Sequence, residues 1–473
     1  MARIPFPQSS YPGKNRQESG GRIVNGVVEA LADGAPNTFI VRRQPGTVAF
    51  GNSTYTGYRG AILAGSALYA AFEGELVKFD SAGTKTDMSN LSGSEPVSFA
   101  RNNKLPTFDC VLVAENAAFT VDASTGAASL VDSDLPSPTD VCFGDGYFFW
   151  AIADGRIFAS GINAITVGAL DFTRCDTKSD PLSRVVWYGG RLLAWGPDSC
   201  EIFYNAANAT GFPFNREEVV RGPGLKGKWA ITGHENGWEK GLFWIGSDNA
   251  VHTLEGYAAR RVSTPDIDRD IERVAEADKD TIRGFCFVEG GHFYIGFSCA
   301  LWTWIFDLTT QKWSEGRSYL QTPRRLLGSS VNAFGKWLMG DRLTGNLIEA
   351  SDQAHEDVGE EPLVVEVTSG RCAAGFGQRM EARFLFVDGV GSIAGRDPIE
   401  RDPTIEISWS DDGGVQFSEP IFRKLGRIGK RKNEIYLSAN VLGACTGRDG
   451  RVFKVRMSDP RDFGLLAGEL TVL

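Results

Sequence analysis

At 473 residues the chain is longer than one ordinary core supports, and its 56 glycines, about 12 % of the residues, stand beside 11 % aromatic and 23 % charged residues. That balance excludes a disordered chain, which lacks apolar residues, and a helical bundle, where interior glycine costs about 1 kcal/mol per site. No run of ~18 apolar residues is present to span a bilayer, and a net charge of −10 opposes a sequence-independent grip on duplex DNA over the whole surface.

In chain order, the opening Met1-Ala2-Arg3-Ile4-Pro5-Phe6-Pro7 lacks the apolar centre of a signal peptide. Residues 1–50 read as an N-terminal arm with a propeller-closing segment. Hairpin-like units then begin near Ala61, Asp109, Asp140, Arg184, Leu242, Arg283 and Val331. Each is an aromatic or β-branched run, a Gly/Asp/Asn turn and a second run. Their mean spacing is 45 residues, the period of a propeller blade of four short strands. Residues 51–348 therefore predict an irregular β-propeller, with six or seven blades both open. One helix is expected over 265–282, where Ile267, Ile271, Val274 and Ile282 mark an apolar stripe and Thr264 or Asp266 can cap the start. The acidic stretch 349–361 reads as a linker. Alternation returns in Leu363–Val367, Arg383–Val387 and Thr404–Trp409, so residues 362–473 predict a smaller β-sandwich-like domain. The fold class is all-β.

Chemistry-bearing motifs are sparse. The cysteines at 110, 142, 175, 200, 286, 299, 372 and 445 show no C-x-x-C pair and sit among apolar neighbours, which reads as reduced core thiols without a zinc site. Gly222-Pro223-Gly224-Leu225-Lys226-Gly227-Lys228 is most of a phosphate-binding loop, but Trp229 stands where Ser or Thr would hold magnesium. Arg3-Ile4-Pro5 and the Asp-box-like Ser410–Phe417 resemble sialidase signatures. Only one such box occurs, and Asp411-Asp412-Gly413-Gly414 serves equally as a hairpin turn. Gly290–Tyr294 followed by Phe306–Trp313 resembles one kelch blade. His234, His252, His292 and His355 lack ligand spacing, and no G-x-S-x-G is present. No catalytic, cofactor or metal constellation emerges.

Charge is uneven. Residues 419–456 contain ten basic and three acidic residues, a local charge of +7 that leaves −17 on the remainder. A solvated strand edge and a docking face for an acidic partner or a nucleic acid both fit such a cluster. Arg423, Lys424, Arg427, Lys430, Arg431 and Lys432 are the candidate interface residues.

Two regions carry a family resemblance. Asn25-Gly26-Val27-Val28-Glu29 followed by Arg42-Arg43-Gln44-Pro45-Gly46 resembles the opening of the tail nozzle, or tail hub, proteins of short-tailed phages, including the packaged-DNA stabilisation family. Ile405–Gly414 leading into Arg423–Gly429 is similar to that family's C-terminal domain. The resemblance implies a non-enzymatic virion tail protein without cofactors, assembled in the host cytoplasm. It implies a ring, commonly of six copies, below the portal and the head-to-tail adaptor. Such a ring extends the DNA channel, helps retain packaged genome, passes duplex DNA at ejection and offers a surface to spikes or fibres. The alternatives from other classes are a ligand-binding or kelch-like adaptor propeller and a sialidase-like glycan-cleaving propeller.

Overall fold

The computed structural model describes residues 2–15, 18–122, 124–130, 132–320, 327–372, 376–387, 403–425, 434–447 and 450–473. Among the described residues, seven four-stranded antiparallel units follow one another at 58–91, 98–129, 140–174, 184–219, 231–261, 283–315 and 330–351, six as separate sheets and the one at 283–315 as part of a nine-stranded sheet, and we number these blades 1 to 7. Blade 7 takes its fourth strand, Gly46–Asn52, from the N-terminal part of the chain, where it pairs with Asn346–Ser351. The protein is thus an all-β, seven-bladed propeller with a smaller β-sandwich.

Each neighbouring pair of blades shares one apolar core. Trp150 and Phe148 of blade 3 pack on Val111 and Val113 of blade 2, and Trp195 of blade 4 packs on Trp244 of blade 5 with ring centroids 4.9 Å apart. Trp150, Trp195 and Trp244 all lie on second strands and are fully buried. The last core joins Ala333, Leu338 and Leu347 of blade 7 to Leu68, Ala70 and Phe72 of blade 1, and so closes the ring. Gly189 and Gly190, with φ of +59° and +74°, form the two-residue turn between the first strands of blade 4. Both positions need positive φ there, so the Gly-Gly pair meets the demand without Cβ strain.

The sandwich draws on both ends of the chain. One sheet contains Ala2–Arg3, Gly26–Ala30, Phe39–Arg43, Met380–Phe386, Glu434–Leu437 and Gly464–Val472. The other contains Arg22–Val24, Val365–Thr368, Thr404–Ser410, Ile421–Lys424 and Val452–Met457. Along Met380–Phe386 burial alternates residue by residue, so Met380, Ala382, Phe384 and Phe386 face a single core shared by the two sheets. Val24 also pairs in parallel with Glu315, so the second sheet runs without a break into the outer strand of blade 6.

Local details differ from the sequence expectations. The helix ends at Glu272, and a 3-10 turn follows over Glu276–Thr281. The break lets the Asp280 carboxylate accept from the Lys228 N–H at 2.7 Å, while Val274 and Ile282 still reach the core holding Ile267 and Ile271. The acidic stretch 349–361 is ordered structure. It finishes the strand Asn346–Ser351 and then forms the short ribbon Glu356–Asp357 with Glu361–Pro362. Thr47 on the closing strand donates to Asp357 at 3.0 Å, which ties that ribbon to blade 7.

Candidate functional site

The motifs that suggested chemistry have structural roles. In the loop Gly222–Lys228, Cβ atoms at 224 and 227 would fall 2.2 and 2.3 Å from the carbonyl oxygens of Gly196 and Lys279. The glycines there let backbones approach, and the loop connects blades 4 and 5. In the single Asp-box-like turn, Asp412 accepts from the N–H groups of Val415 and Gln416. Asp411 accepts from the buried Arg451 guanidinium at 2.6 and 2.8 Å. Arg3 lies exposed on a short strand paired with the last strand of the chain, far in sequence and sheet from that turn. The kelch-like segment forms strands of blade 6, where the Phe306 and Trp313 rings stand 4.7 Å apart. All eight cysteines are free thiols, and burial pushes Cys110 and Cys372 up to about 12. Among the described residues no group of three or more His, Cys, Asp or Glu side chains converges to hold a metal.

The resemblance residues near the N-terminus build the junction between propeller and sandwich. The Asn25 carboxamide donates to the carbonyls of Arg317 and Val364 at 2.9 and 2.8 Å and accepts from the Arg317 N–H at 2.8 Å. One side chain therefore joins the sandwich start, the exit of blade 6 and the return from blade 7. Its φ of +50° is a conformation asparagine tolerates better than most residues. Arg43 is buried and donates to the carbonyls of His355, Leu363 and Asp459. Burial pushes its guanidinium down to about 10. Gln44 donates to the Ser314 hydroxyl at 2.8 Å. At Gly46 a Cβ would meet the Glu356 and Ala354 carbonyl oxygens at 2.4 and 2.5 Å. The Asn-gap-Arg-Arg-Gln-Pro-Gly pattern thus encodes the passage of the chain from sandwich to closing strand.

At one mouth of the propeller axis, the first residues of the inner strands and the neighbouring loops line a cavity of about 170 Å³. Its walls are Gly57, Tyr58, Arg59 and Glu73 of blade 1, Ser94, Arg283 of blade 6, and Gly328, Ser329 and Arg342 of blade 7. Arg59 is held by the carbonyls of Leu91, Ser92 and Glu95 and lies 3.3 Å from Glu115. Among the described residues, Arg283 donates only to the carbonyls of Asp280 and Ile282, and Arg342 only to that of Thr281. Gly340 makes room for this wall, because a Cβ there would lie 1.8 Å from Cγ of Tyr58. Sequence reasoning missed this site, since its parts come from three blades and no local motif marks it.

The family model described as bacteriophage P22 Gp10, β-propeller, matches residues 37–352, well over half of the chain. The chain belongs to this family. The match opens just before the strand Phe39–Arg43, takes in the closing strand and all seven blades, and ends with the last strand of blade 7. Comparison with curated proteins found no match. Among solved structures, the chain is similar to the computationally designed Ika8 protein at 11 % identity and TM-score 0.38, over 70 % of this chain and 99 % of that one. It is similar to virginiamycin B lyase from Staphylococcus aureus at 9 % identity and TM-score 0.43, over 64 % and 97 % of the two chains. The WD40 β-propeller domain of Doa1 matches at 8 % identity and TM-score 0.40, over 65 % and 95 %. None of these three bears on function.

For this phage structural β-propeller, the basic C-terminal residues separate into different environments. Arg451 is 1 % exposed and donates to Asp411 and to the carbonyls of Leu442 and Ala444, so it belongs to the sandwich interior. Arg456 pairs with Glu406 at 3.5 Å, and the Lys454 ammonium lies 4.0 Å from the centre of the Phe417 ring. Arg423 and Lys424 lie exposed on Ile421–Lys424, the edge strand of the second sheet, beside the exposed Phe422. Arg427, Lys430, Arg431 and Lys432 lie outside the described residues. No helix of the described residues is long and apolar enough to cross a membrane.

Proposed function

We propose that the chain is a virion tail component without catalytic activity, a nozzle or hub subunit that assembles into a ring, commonly of six copies. The ring would sit below the portal and head-to-tail adaptor, extend the DNA channel, help retain packaged genome and carry spikes or fibres. Membership of the P22 Gp10 β-propeller family is the observation that carries this reading. The build of the chain fits a load-bearing part, because the sandwich combines strands from 2–43 and 365–472 and shares a continuous sheet with blade 6.

The charge distribution supports a division of labour. Outside residues 419–456 the chain carries −17, and an acidic channel wall lets duplex slide by denying its phosphates the counterion-releasing contacts that would trap it. Arg423 and Lys424, exposed on the edge strand, would meet an adaptor or a neighbouring subunit. Negative-stain microscopy of the protein alone and mixed with portal–adaptor complexes tests the reading. Rings that form on the complex are expected. Persistent monomers in the mixture would overturn the reading and return the propeller to the adaptor-like or glycan-cleaving alternatives.

A further inference from the structure

We infer that the cavity at the mouth of the propeller axis, between blades 6, 7 and 1, binds a small oxyanion of the phosphate class through Arg283 and Arg342. The inference stands independently of the tail reading.

The first observation is a pair of cations with no ion-pair partner among the described residues. Arg283 and Arg342 line the same cavity, and among the described residues no carboxylate lies within ion-pair distance of either guanidinium. Their hydrogen bonds go to backbone carbonyls, which orient the planar groups without neutralising them. Recessed cations of this kind are costly unless an opposite charge joins them. Two other arginines in the neighbourhood differ. Arg59 has Glu115 at 3.3 Å, and Arg184 has Asp140 at 3.7 Å. Burial, and then the charge of Arg342, pushes the Arg283 guanidinium down to about 9. Glu95 and Asp280 offset part of that effect from beyond ion-pair distance.

The second observation is the chemistry of the remaining wall. Tyr58, Ser94 and Ser329 line the same space, and burial pushes the Tyr58 phenol well up, so it stays protonated and able to donate. Three arginines against the single carboxylate of Glu73 give the lining a positive balance in a chain of net charge −10. Guanidinium forks with hydroxyl donors suit a tetrahedral oxyanion with several acceptor oxygens. At about 170 Å³ the cavity admits a phosphate group with its nearest waters. It is far too small for the groove or backbone run of a duplex. The ligand is therefore a free phosphate or the phosphate end of a small monoester.

Calorimetry and thermal unfolding of the full chain, at constant ionic strength, test this with inorganic phosphate and with adenosine monophosphate in separate arms. Wild type is expected to bind and to unfold at a temperature that rises with ligand concentration. Binding in the first arm identifies free phosphate, and binding in the second alone identifies a monoester. Arg342→Met should weaken binding by about tenfold or more, and it should raise the unfolding temperature in anion-free buffer, because an uncompensated charge is gone. An arginine with a merely structural role would instead lower that temperature with and without phosphate. If Arg342→Met does not fold, Arg342→Lys decides, with folding retained and phosphate binding weakened by loss of the fork. No binding in either arm, or equal binding by wild type and variant, would overturn the assignment.

Discussion

The Arg22 guanidinium grips Glu315 with two parallel hydrogen bonds of 2.9 and 2.5 Å, joining the sandwich strand Arg22–Val24 to the outer strand of blade 6. Ser10 and Arg317 add contacts of 2.8 and 3.2 Å to the same carboxylate. Burial pushes the Glu315 carboxyl up, but Arg22, Arg317 and the Ser10 hydroxyl together hold it below its ordinary value. A depressed carboxyl contributes stability above its unfolded pKa of about 4.3 and loses it as pH falls through the folded value. Glu315→Gln should cost about 2 kcal/mol near neutral pH, within the range for charged hydrogen bonds and discounted for the partial exposure of Arg22. Urea unfolding measures the loss. The difference from wild type should shrink in acid, and a difference unchanged down to strongly acidic pH would refute the linkage.

His292 supplies a second tie across the same junction, with the opposite pH sign. Its ring lies 2.8 Å from Asp307 in blade 6 and 3.5 Å from Glu29 in the sandwich. Those two carboxylates raise its pKa to about 9. A raised histidine contributes stability that is complete below its unfolded pKa of about 6.5 and is lost as pH climbs through the folded value. Unfolding temperature should therefore decline between about pH 6.5 and 9. His292→Gln should lower stability at pH 6 and flatten that decline. A wild-type profile that stays level across the interval would contradict the assignment.

The Asp411–Arg451 pair tests the structural role of the one Asp-box-like turn. Arg451 is enclosed, with its guanidinium 5.6 Å from the centre of the Trp409 ring and fully engaged by Asp411 and two carbonyls. Asp411→Ala leaves that cation buried without its partner, which should destabilise the sandwich by about 3–5 kcal/mol. Chemical denaturation checks the magnitude. Replacing both residues by apolar ones should cost less than the single change, because no lone charge remains. A single variant as stable as wild type would mean the turn does not depend on this pair.

The sequence spoke clearly where structure is local. Gly189-Gly190 and Gly290-Gly291 announce turns, and the aromatic runs of blades 3, 4 and 6 coincide with first and second strands. Two of the seven hairpin units, near Asp109 and Leu242, begin at second strands. The first strands of those blades, Ser98–Arg101 and Ile231–Thr232, are four and two residues long and too short to show a period. Arg22–Val24 gave no strand signal either, because its partners are Val365–Thr368 and Glu315, some 300 residues away. The +7 count treated Arg451 as surface charge, although counting cannot distinguish a solvated arginine from one folded around Asp411. The axial cavity was equally hidden, since Arg283 and Arg342 meet only once blades 6 and 7 stand side by side.

The basic edge strand yields the test of docking. Ile421–Lys424 pairs on one side with Thr404–Ser410 and has no neighbour on the other among the described residues. Edge lysines and arginines commonly block unwanted strand pairing, and the same charges can meet an acidic partner face. The two roles separate on reversal of charge. Arg423→Glu with Lys424→Glu retains edge charge, so a purely protective edge would leave solubility, folding and ring formation as they were. A docking edge would instead lose attachment, with rings on portal–adaptor complexes becoming scarce in negative stain while circular dichroism and unfolding temperature match wild type. Exposed charge reversals typically alter stability by under about 0.5 kcal/mol, so an assembly defect of this kind cannot come from unfolding. Normal ring attachment by the double variant would assign this strand to edge protection alone.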